Sequence, residues 1–166
     1  MQRPGAPGRD ALTVAADGGY CPGMDAAEII ESLGLVPHAE GGWYRETWRD
    51  PGADDADRAA GSAIYFLLVA DQWYHWHRLD AAETWHHYAG DPLELWIAAD
   101  AHTVPELHLV GTDLLAGERP QVVVPIGGWQ AAMSRGAWSL VGCTVTPGFE
   151  FEGWELAPQD WSPGRG

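Results

Sequence analysis

The chain opens with one stretch of helical periodicity, and strand-like segments follow it. Residues 25–35 place their apolar side chains on one side of a predicted helix, with Asp25 and Glu28 at the spacing of a capping box. Gly34 ends this helix. Beyond it, short apolar and aromatic runs alternate with turns rich in Gly and Pro. The predicted strands are 43–48, 63–69, 73–79, 83–89, 93–99, 106–110, 121–125, 129–133, 138–145 and 151–156.

Many short strands at close spacing predict an all-β, antiparallel sandwich or barrel of the jelly-roll type, with one short N-terminal helix. A chain of 166 residues is normally one domain, and we place it at residues 24–160. Residues 1–23 are rich in Gly, Pro, Ala and Asp without periodicity, so we expect a flexible N-terminal extension. Residues 161–166 are expected to form a C-terminal tail. Residues 50–60 are expected to form an acidic, flexible loop.

Composition narrows the possible functions. Nine basic and 24 acidic side chains give a net charge of −15, and every basic residue is Arg. Without Lys, a Schiff-base mechanism and the usual phosphate-binding P-loop are excluded. Because the chain is acidic and has no basic cluster, we expect no nucleic-acid partner. A small-molecule substrate is the remaining expectation. The chain also lacks Asn, and this composition is typical of a GC-rich genome.

The two cysteines, Cys21 and Cys143, are interpreted as free thiols of a reducing compartment. A nucleophilic role for Cys143 is disfavoured because it lies in the middle of an apolar strand. No signal segment and no apolar run of membrane-spanning length is apparent. We therefore expect a cytoplasmic protein without a membrane partner.

The most informative stretch contains His75, His77 and Glu83. The two histidines are two residues apart on a predicted strand, so we expect both imidazoles on the same face. With Glu83 they could form a two-His-one-carboxylate site for a divalent metal such as Fe, Ni, Mn or Zn. They could equally form an acid/base set. A structural or ligand-positioning role is the third interpretation.

The same residues carry a resemblance to the first cupin motif, G-x5-H-x-H-x3–4-E-x6-G. His75, His77, Glu83 and Gly90 align with it, although five residues (78–82) separate the second His from the Glu. The opening Gly is replaced by Val69. These departures point to a subfamily of the cupins.

The second cupin motif, G-x5-P-x-G-x2-H-x3-N, is matched only in part. Pro125 and Gly127 align, but Gln130 stands in the place of the His and Ser134 in the place of the Asn. The fourth metal ligand is thus replaced by an amide, which is a poor ligand for a transition metal.

Five segments closely resemble the cupin-5 family, long described as of unknown function: 37–50, 62–69, 75–95, 117–132 and 138–157. The resemblance extends from about Asp25 to Ala157. It implies a cupin double-stranded β-helix, usually a homodimer, similar in shape to the dTDP-4-dehydrorhamnose epimerases, with a pocket inside the barrel. It implies no particular reaction, because a fold does not determine a function.

Candidate site residues follow from these motifs. The catalytic candidates are His75, His77, Glu83, His87 and Tyr44. The substrate-binding candidates, chosen as anion clamps or pocket-lining groups, are Arg45, Arg78, Trp85, Arg119, Trp129 and Gln130. The metal candidates are His75, His77 and Glu83, with Gln130 as a weak fourth. His87 is preferred to His86 because it shares the strand face of Glu83 unless a bulge intervenes. Phe149 and Phe151 are interpreted as lid or core, and His38 receives no role.

Three functions remain open at this point. The first is an enzyme of the isomerase, epimerase or lyase type that moves a proton beside a carbonyl, with a place in sugar or natural-product metabolism as part of the hypothesis. The second is a metal-dependent cupin, either an oxygenase or a metal-assisted isomerase. The third is a noncatalytic module that binds a small ligand through its abundant Trp.

Overall fold

The computed structural model describes residues 23–52 and 58–164. The predictions for Cys21, for the extension up to residue 22 and for residues 53–57 of the acidic loop fall outside these ranges. The predicted helix is confirmed as α1, Ala26–Leu33. Asp25 accepts from the Glu28 amide and Glu28 accepts from the Asp25 amide, which is the predicted capping box. Gly34 ends the helix with φ at 61°, a left-handed conformation that suits glycine.

Eleven strands follow in the described residues. They are β1 Val36–Pro37, β2 Trp43–Arg49, β3 Ser62–Val69, β4 Trp73–Leu79, β5 Ala82–Gly90, β6 Leu93–Ala98, β7 Glu106–Val110, β8 Gln121–Val124, β9 Trp129–Ser134, β10 Trp138–Thr146 and β11 Trp154–Leu156. The prediction of one strand over 151–156 is wrong in its first half, because Phe151–Gly153 forms a 3₁₀ turn.

The strands form two antiparallel sheets. The first sheet has the order β1-β2-β3-β10-β5-β8, and the second has the order β11-β4-β9-β6-β7. The predicted all-β jelly-roll architecture with one short N-terminal helix is confirmed. Neighbours in the sheets are mostly distant in sequence, as in β3 beside β10, so both sheets depend on long-range pairing.

The inner faces of the sheets enclose the main core. Its large members are Phe66, Leu68, Trp85, Leu93 and Leu95. The helix covers the outer face of the first sheet, where a second cluster joins Ile29 to strand residues. No helix in the described ranges is long and apolar enough to cross a membrane.

One irregularity in β4 decides which side chains reach the barrel interior. Tyr74 pairs with Ala132 and His77 pairs with Gln130, so β4 carries one residue more than β9 between the two pairs. This is a β-bulge, which reverses the inward and outward alternation beyond it. Tyr74 and His77 therefore both face inward although they are three residues apart, and His75 does not.

The segment after β11 lies against the outer face of the second sheet. The His75 ring nitrogen Nε2 is 2.9 Å from the Pro158 carbonyl oxygen. The rings of Trp129 and Trp161 have centroids 4.4 Å apart. Residues 161–164, expected to be a tail, thus include a side chain that packs on the barrel.

Candidate functional site

A cavity of about 550 Å³ opens at one end of the barrel. It lies where the start of β3, the end of β4, the start of β5 and the end of β10 come together. The lining is contributed by β1 to β5, by β10 and by the segment after it: Pro37, His38, Ala39, Tyr44, Glu46, Arg49, Ser62, Ile64, Tyr74, His77, Leu79, Glu83, Cys143, Val145, Phe149, Phe151 and Trp154.

Glu83 is the central ionisable group of the cavity. Its side chain is almost fully buried, with the residue 7% exposed. The Gln130 amide nitrogen donates to its Oε2 atom, and the Trp85 indole donates to the Gln130 amide oxygen at 2.8 Å. Burial raises the pKa of Glu83 from 4.5 to about 7, against the lowering effect of Gln130 and Cys143. A carboxyl group of this kind can both accept and return a proton near neutral pH.

His77 is a neutral imidazole with a defined tautomer. Its Nδ1 atom lies 2.8 Å from the His75 carbonyl oxygen, which can only accept a hydrogen bond, so Nδ1 carries the proton. Burial lowers the pKa of His77 from 6.5 to about 4, although this hydrogen bond opposes the change. The Nε2 atom of His77 is therefore an unprotonated acceptor at neutral pH.

Tyr74 and Glu40 complete the acid/base cluster. Burial raises the pKa of Tyr74 well above 10, and the carboxyl groups of Glu40 and Glu83 raise it further. Both Glu40 carboxyl oxygens are buried without a hydrogen-bond partner of ordinary geometry in the described residues. Burial raises the pKa of Glu40 to about 7; the nearby Tyr74 hydroxyl lowers it and Glu83 raises it. Tyr74 thus remains a protonated hydroxyl under the influence of the Glu40 and Glu83 carboxyl groups.

His38 and Cys143 line the cavity in uncharged forms. Burial lowers the pKa of His38, whose ring packs edge-on against Tyr44 and Tyr74. Burial raises the pKa of the Cys143 thiol well above its usual range. The predicted free thiol at Cys143 is confirmed, and a buried thiol with a raised pKa is a poor nucleophile.

Aromatic side chains and an Arg–Glu ion pair line the mouth of the cavity. Phe149 and Phe151 pack edge to face with centroids 5.1 Å apart, and Phe151 is 72% exposed. The Phe149 amide donates to the Ser62 hydroxyl, which ties this segment to β3. Arg49 also lines the mouth, where it forms an ion pair with Glu46 at 2.7 Å.

The structure brings only part of the predicted site together. His77, Glu83 and Tyr44 line the cavity. Gln130 and Trp85 are fully buried behind Glu83 and hold it by the hydrogen bonds described above. These five residues form the supported part of the predicted site, and their chemical roles remain predictions.

The expectation that His75 shares a face with His77 is wrong because of the bulge in β4. His87 does share the inward face of Glu83, since it pairs with the core residue Val141. However, it lies four residues further along the strand, about 13 Å away, and does not line the cavity. Its Nε2 atom is 3.2 Å from the Asp91 carbonyl oxygen.

The predicted anion clamps and Trp129 also lie elsewhere. Arg78 forms an ion pair with Glu155 and stacks over Trp129 on the outer side of the second sheet. Arg45 stacks on Tyr65, and Arg119 donates to the Glu118 carbonyl oxygen. None of these three arginines lines the cavity, so the expectation that they meet the substrate there is not met.

The side chains do not fit the metal centre that cupin motifs imply. His75 is turned away, and residues 23–52 and 58–164 contain no group of three His, Cys, Asp or Glu side chains arranged to hold a metal ion. Gln130 cannot replace a ligand, because its oxygen accepts from Trp85 and its amide nitrogen faces Glu83. An amide N–H offers no lone pair to a cation.

We therefore expect protein purified without a polyhistidine tag to contain transition metal well below one equivalent by elemental analysis. Incubation with EDTA should leave the thermal unfolding midpoint unchanged, since no ligand set would be released. One equivalent of metal that is lost in His77→Ala would contradict this prediction.

Several cavity residues were given no role in the sequence analysis. Glu40 and His38 lie in the turn between β1 and β2, where no periodicity reports the direction of a side chain. Tyr74 likewise received no role. The extra residue in β4 is what turns Tyr74 inward, and it can be recognised only when β4 is paired with β9.

The two antiparallel sheets form a jelly-roll barrel, which is the fold of the cupins. The chain belongs to the family described as Cupin_5, Cupin superfamily (DUF985), whose model matches residues 27–157. The predicted family is thus confirmed. No curated protein matches the chain.

Solved structures agree with this assignment. The chain is similar to a protein from Shewanella oneidensis, with 40% identity and a TM-score of 0.77 over 82% of this chain and 87% of the other. It is also similar to a hypothetical protein from Leishmania major, with 34% identity and a TM-score of 0.73 over 83% and 90% of the two chains. Oxalate decarboxylase from Bacillus subtilis shares the fold alone, at 14% identity and a TM-score of 0.56, over 72% of this chain and 29% of that enzyme.

Proposed function

We propose that this protein is a small-molecule enzyme of the isomerase, epimerase or lyase type that transfers a proton within the cavity. The observation that carries the proposal is Glu83, a buried carboxyl group in the cavity with a pKa of about 7. Catalytic acids and bases need a pKa close to the working pH, and burial is a common way to achieve it. Perturbed carboxyl groups in clefts are therefore candidates for this chemistry.

The surrounding groups suit abstraction of a proton beside a carbonyl. Above pH 7 the Glu83 carboxylate would take the proton, and the electron pair of the broken C–H bond would move onto the carbonyl oxygen. The Tyr74 hydroxyl, which remains protonated, would donate to that developing oxyanion. The Nε2 atom of His77 would accept a hydrogen bond from a substrate hydroxyl. Protonation of the same carbon on its opposite face would complete an epimerisation. Protonation of the former carbonyl carbon, with the proton of the neighbouring hydroxyl passing by way of His77 to the other oxygen, would complete an isomerisation.

A noncatalytic binding module is the second candidate, favoured by the aromatic side chains at the mouth. Phe151 and Trp154 offer ring faces on which a flat or sugar-like ligand could stack. The exchange experiment below separates the two functions. A place in sugar or natural-product metabolism is part of the proposal, and the genes neighbouring this one would test it.

We expect the protein to catalyse exchange of carbon-bound hydrogen for deuterium in D₂O. The panel consists of uncharged hydroxyketones, such as dihydroxyacetone and fructose, followed by proton NMR. Glu83→Gln should reduce the exchange rate at least ~100-fold, because glutamine keeps the shape and hydrogen bond but cannot accept the proton. The wild-type rate should increase with pH through about 7 as Glu83 ionises.

Glu155→Gln is the matched control, because Glu155 pairs with Arg78 outside the cavity and its loss should leave the rate unchanged. Undiminished exchange in Glu83→Gln would contradict the proposed role of Glu83. Binding of panel members without any exchange would favour the noncatalytic module.

A homodimer and a cytoplasmic location belong to the same proposal. Pairing of β1 with β2 ends at Tyr44, so the outer edge of β2 beyond it has no pairing partner in the described strands. Trp48 on β2 is half exposed. An open edge and an exposed aromatic side chain suit a contact between two copies, which light scattering would test.

A further inference from the structure

We infer that the ligand of this cavity presents an uncharged group to the cavity floor, a hydroxyl, carbonyl or carboxamide, and that carboxylates and phosphates are excluded there. The inference deepens the proposed function and rests on it for the placement of the ligand. It is based on the charges of the side chains that face the cavity.

Among the described residues, the mouth offers no free cation. Arg49 is the one guanidinium among the described lining residues. Its Nε and Nη2 atoms donate to the Glu46 carboxylate at 3.1 and 2.7 Å, and its Nη1 atom donates to the Phe149 carbonyl oxygen at 2.9 Å. An arginine held in this way by a carboxylate has its charge balanced, so an incoming anion would have to displace Glu46.

The floor offers an acidic group and neutral ones. Glu83 lines it directly, while Glu40 lies outside the lining, near Tyr74. The imidazoles of His77 and His38 are uncharged at neutral pH, and the Cys143 thiol is protonated. An anion at the floor would therefore lose water and meet the Glu83 carboxyl group with no counter-charge among the described lining residues, which is strongly unfavourable.

The hydrogen-bonding groups of the floor instead match an uncharged polar ligand. Tyr74 supplies a donor, the Nε2 atom of His77 supplies an acceptor, and Glu83 can accept or donate according to its protonation. A hydroxyl group satisfies a donor and an acceptor at once, and a carbonyl satisfies the donor. The walls between floor and mouth are aliphatic, from Ile64 and Val145, and suit a ring rather than a charged chain.

A shape-matched series tests the inference by equilibrium binding alone. Benzamide, benzoate and benzylamine share a ring and differ in the charge of the head group. At pH 8, calorimetry or ligand-observed NMR should show benzamide binding at least about 10-fold more tightly than benzoate. Lowering the pH to 5.5 protonates Glu83 and Glu40, whose pKa values are about 7. The difference in affinity between benzamide and benzoate should then become smaller.

Glu83→Gln removes one acidic group without changing the shape, and should raise the affinity for benzoate at pH 8 while leaving that for benzamide within about threefold. Glu155→Gln, outside the cavity, should change neither affinity. The inference is overturned if benzoate binds wild type as tightly as benzamide, if benzylamine binds at least tenfold more tightly than benzamide, or if none of the three binds at millimolar concentration. Because no turnover is measured, failure here is distinct from failure of the exchange experiment.

Discussion

Glu83→Gln is expected to raise the free energy of unfolding above that of wild type by roughly 3 kcal/mol at pH 8, and to leave it nearly unchanged at pH 4. The pKa of Glu83 is about 7 in the folded protein against 4.5 for an ordinary glutamate, because the side chain is buried. The folded state therefore holds this proton more tightly than the unfolded state. The stability that the carboxyl group contributes is fully present below pH 4.5 and is lost as the pH rises through 7. Glutamine does not titrate, so the variant escapes this loss.

Urea unfolding at pH 4, 6 and 8 gives the free energy of unfolding of Glu83→Gln and of wild type, and the difference between the two at each pH measures the effect. His77 titrates in the opposite sense, because its folded pKa of about 4 makes it stabilising above pH 6.5 and unfavourable at low pH. That contribution is present in both proteins and cancels in the difference. Glu155→Gln, which replaces an exposed glutamate, serves as the control and should show no such trend. A difference that stays constant from pH 4 to 8 would show that Glu83 has an ordinary pKa.

The fold was predictable because it follows from patterns that repeat along the chain. Strand-length runs separated by turn residues indicated the two-sheet barrel, and the capping box at Asp25 located the helix. The site depends instead on single irregularities. Strict alternation along β4 would place His75 in the interior together with His77. One extra residue between Tyr74 and His77 places Tyr74 there instead, and alternation alone cannot predict such an insertion.

The predicted anion clamps failed for a related reason. Arg78 follows the inward-facing His77 directly, so strand alternation alone placed it on the opposite side. It was named as a candidate because a guanidinium suits phosphate and carboxylate groups. In the structure the Arg49 guanidinium at the cavity is paired with Glu46 instead, and the cavity floor carries the Glu83 carboxyl group.

Trp85→Ala is expected to lower the free energy of unfolding by about 3–5 kcal/mol, as for other large aromatic side chains in a core. Trp85 is fully buried, contacts Phe66 edge to face and donates its indole N–H to Gln130. Trp85→Phe retains much of the packing but leaves the Gln130 amide oxygen buried without its donor, a loss of about 1–3 kcal/mol. Chemical denaturation of both variants would give the two values.

The phenylalanine variant also tests whether Trp85 orients the acid/base group. With the indole in place, Gln130 presents its NH₂ group to Glu83, and this hydrogen bond lowers the pKa of Glu83. Without the indole the amide can turn and present its oxygen, which repels a carboxylate. The pKa of Glu83 should then rise further, as observed by ¹³C NMR of labelled glutamate with Glu83→Gln to assign the signal. An unchanged midpoint in Trp85→Phe would mean that Trp85 contributes packing alone, and that the orientation of Gln130 is set by its own buried position in β9.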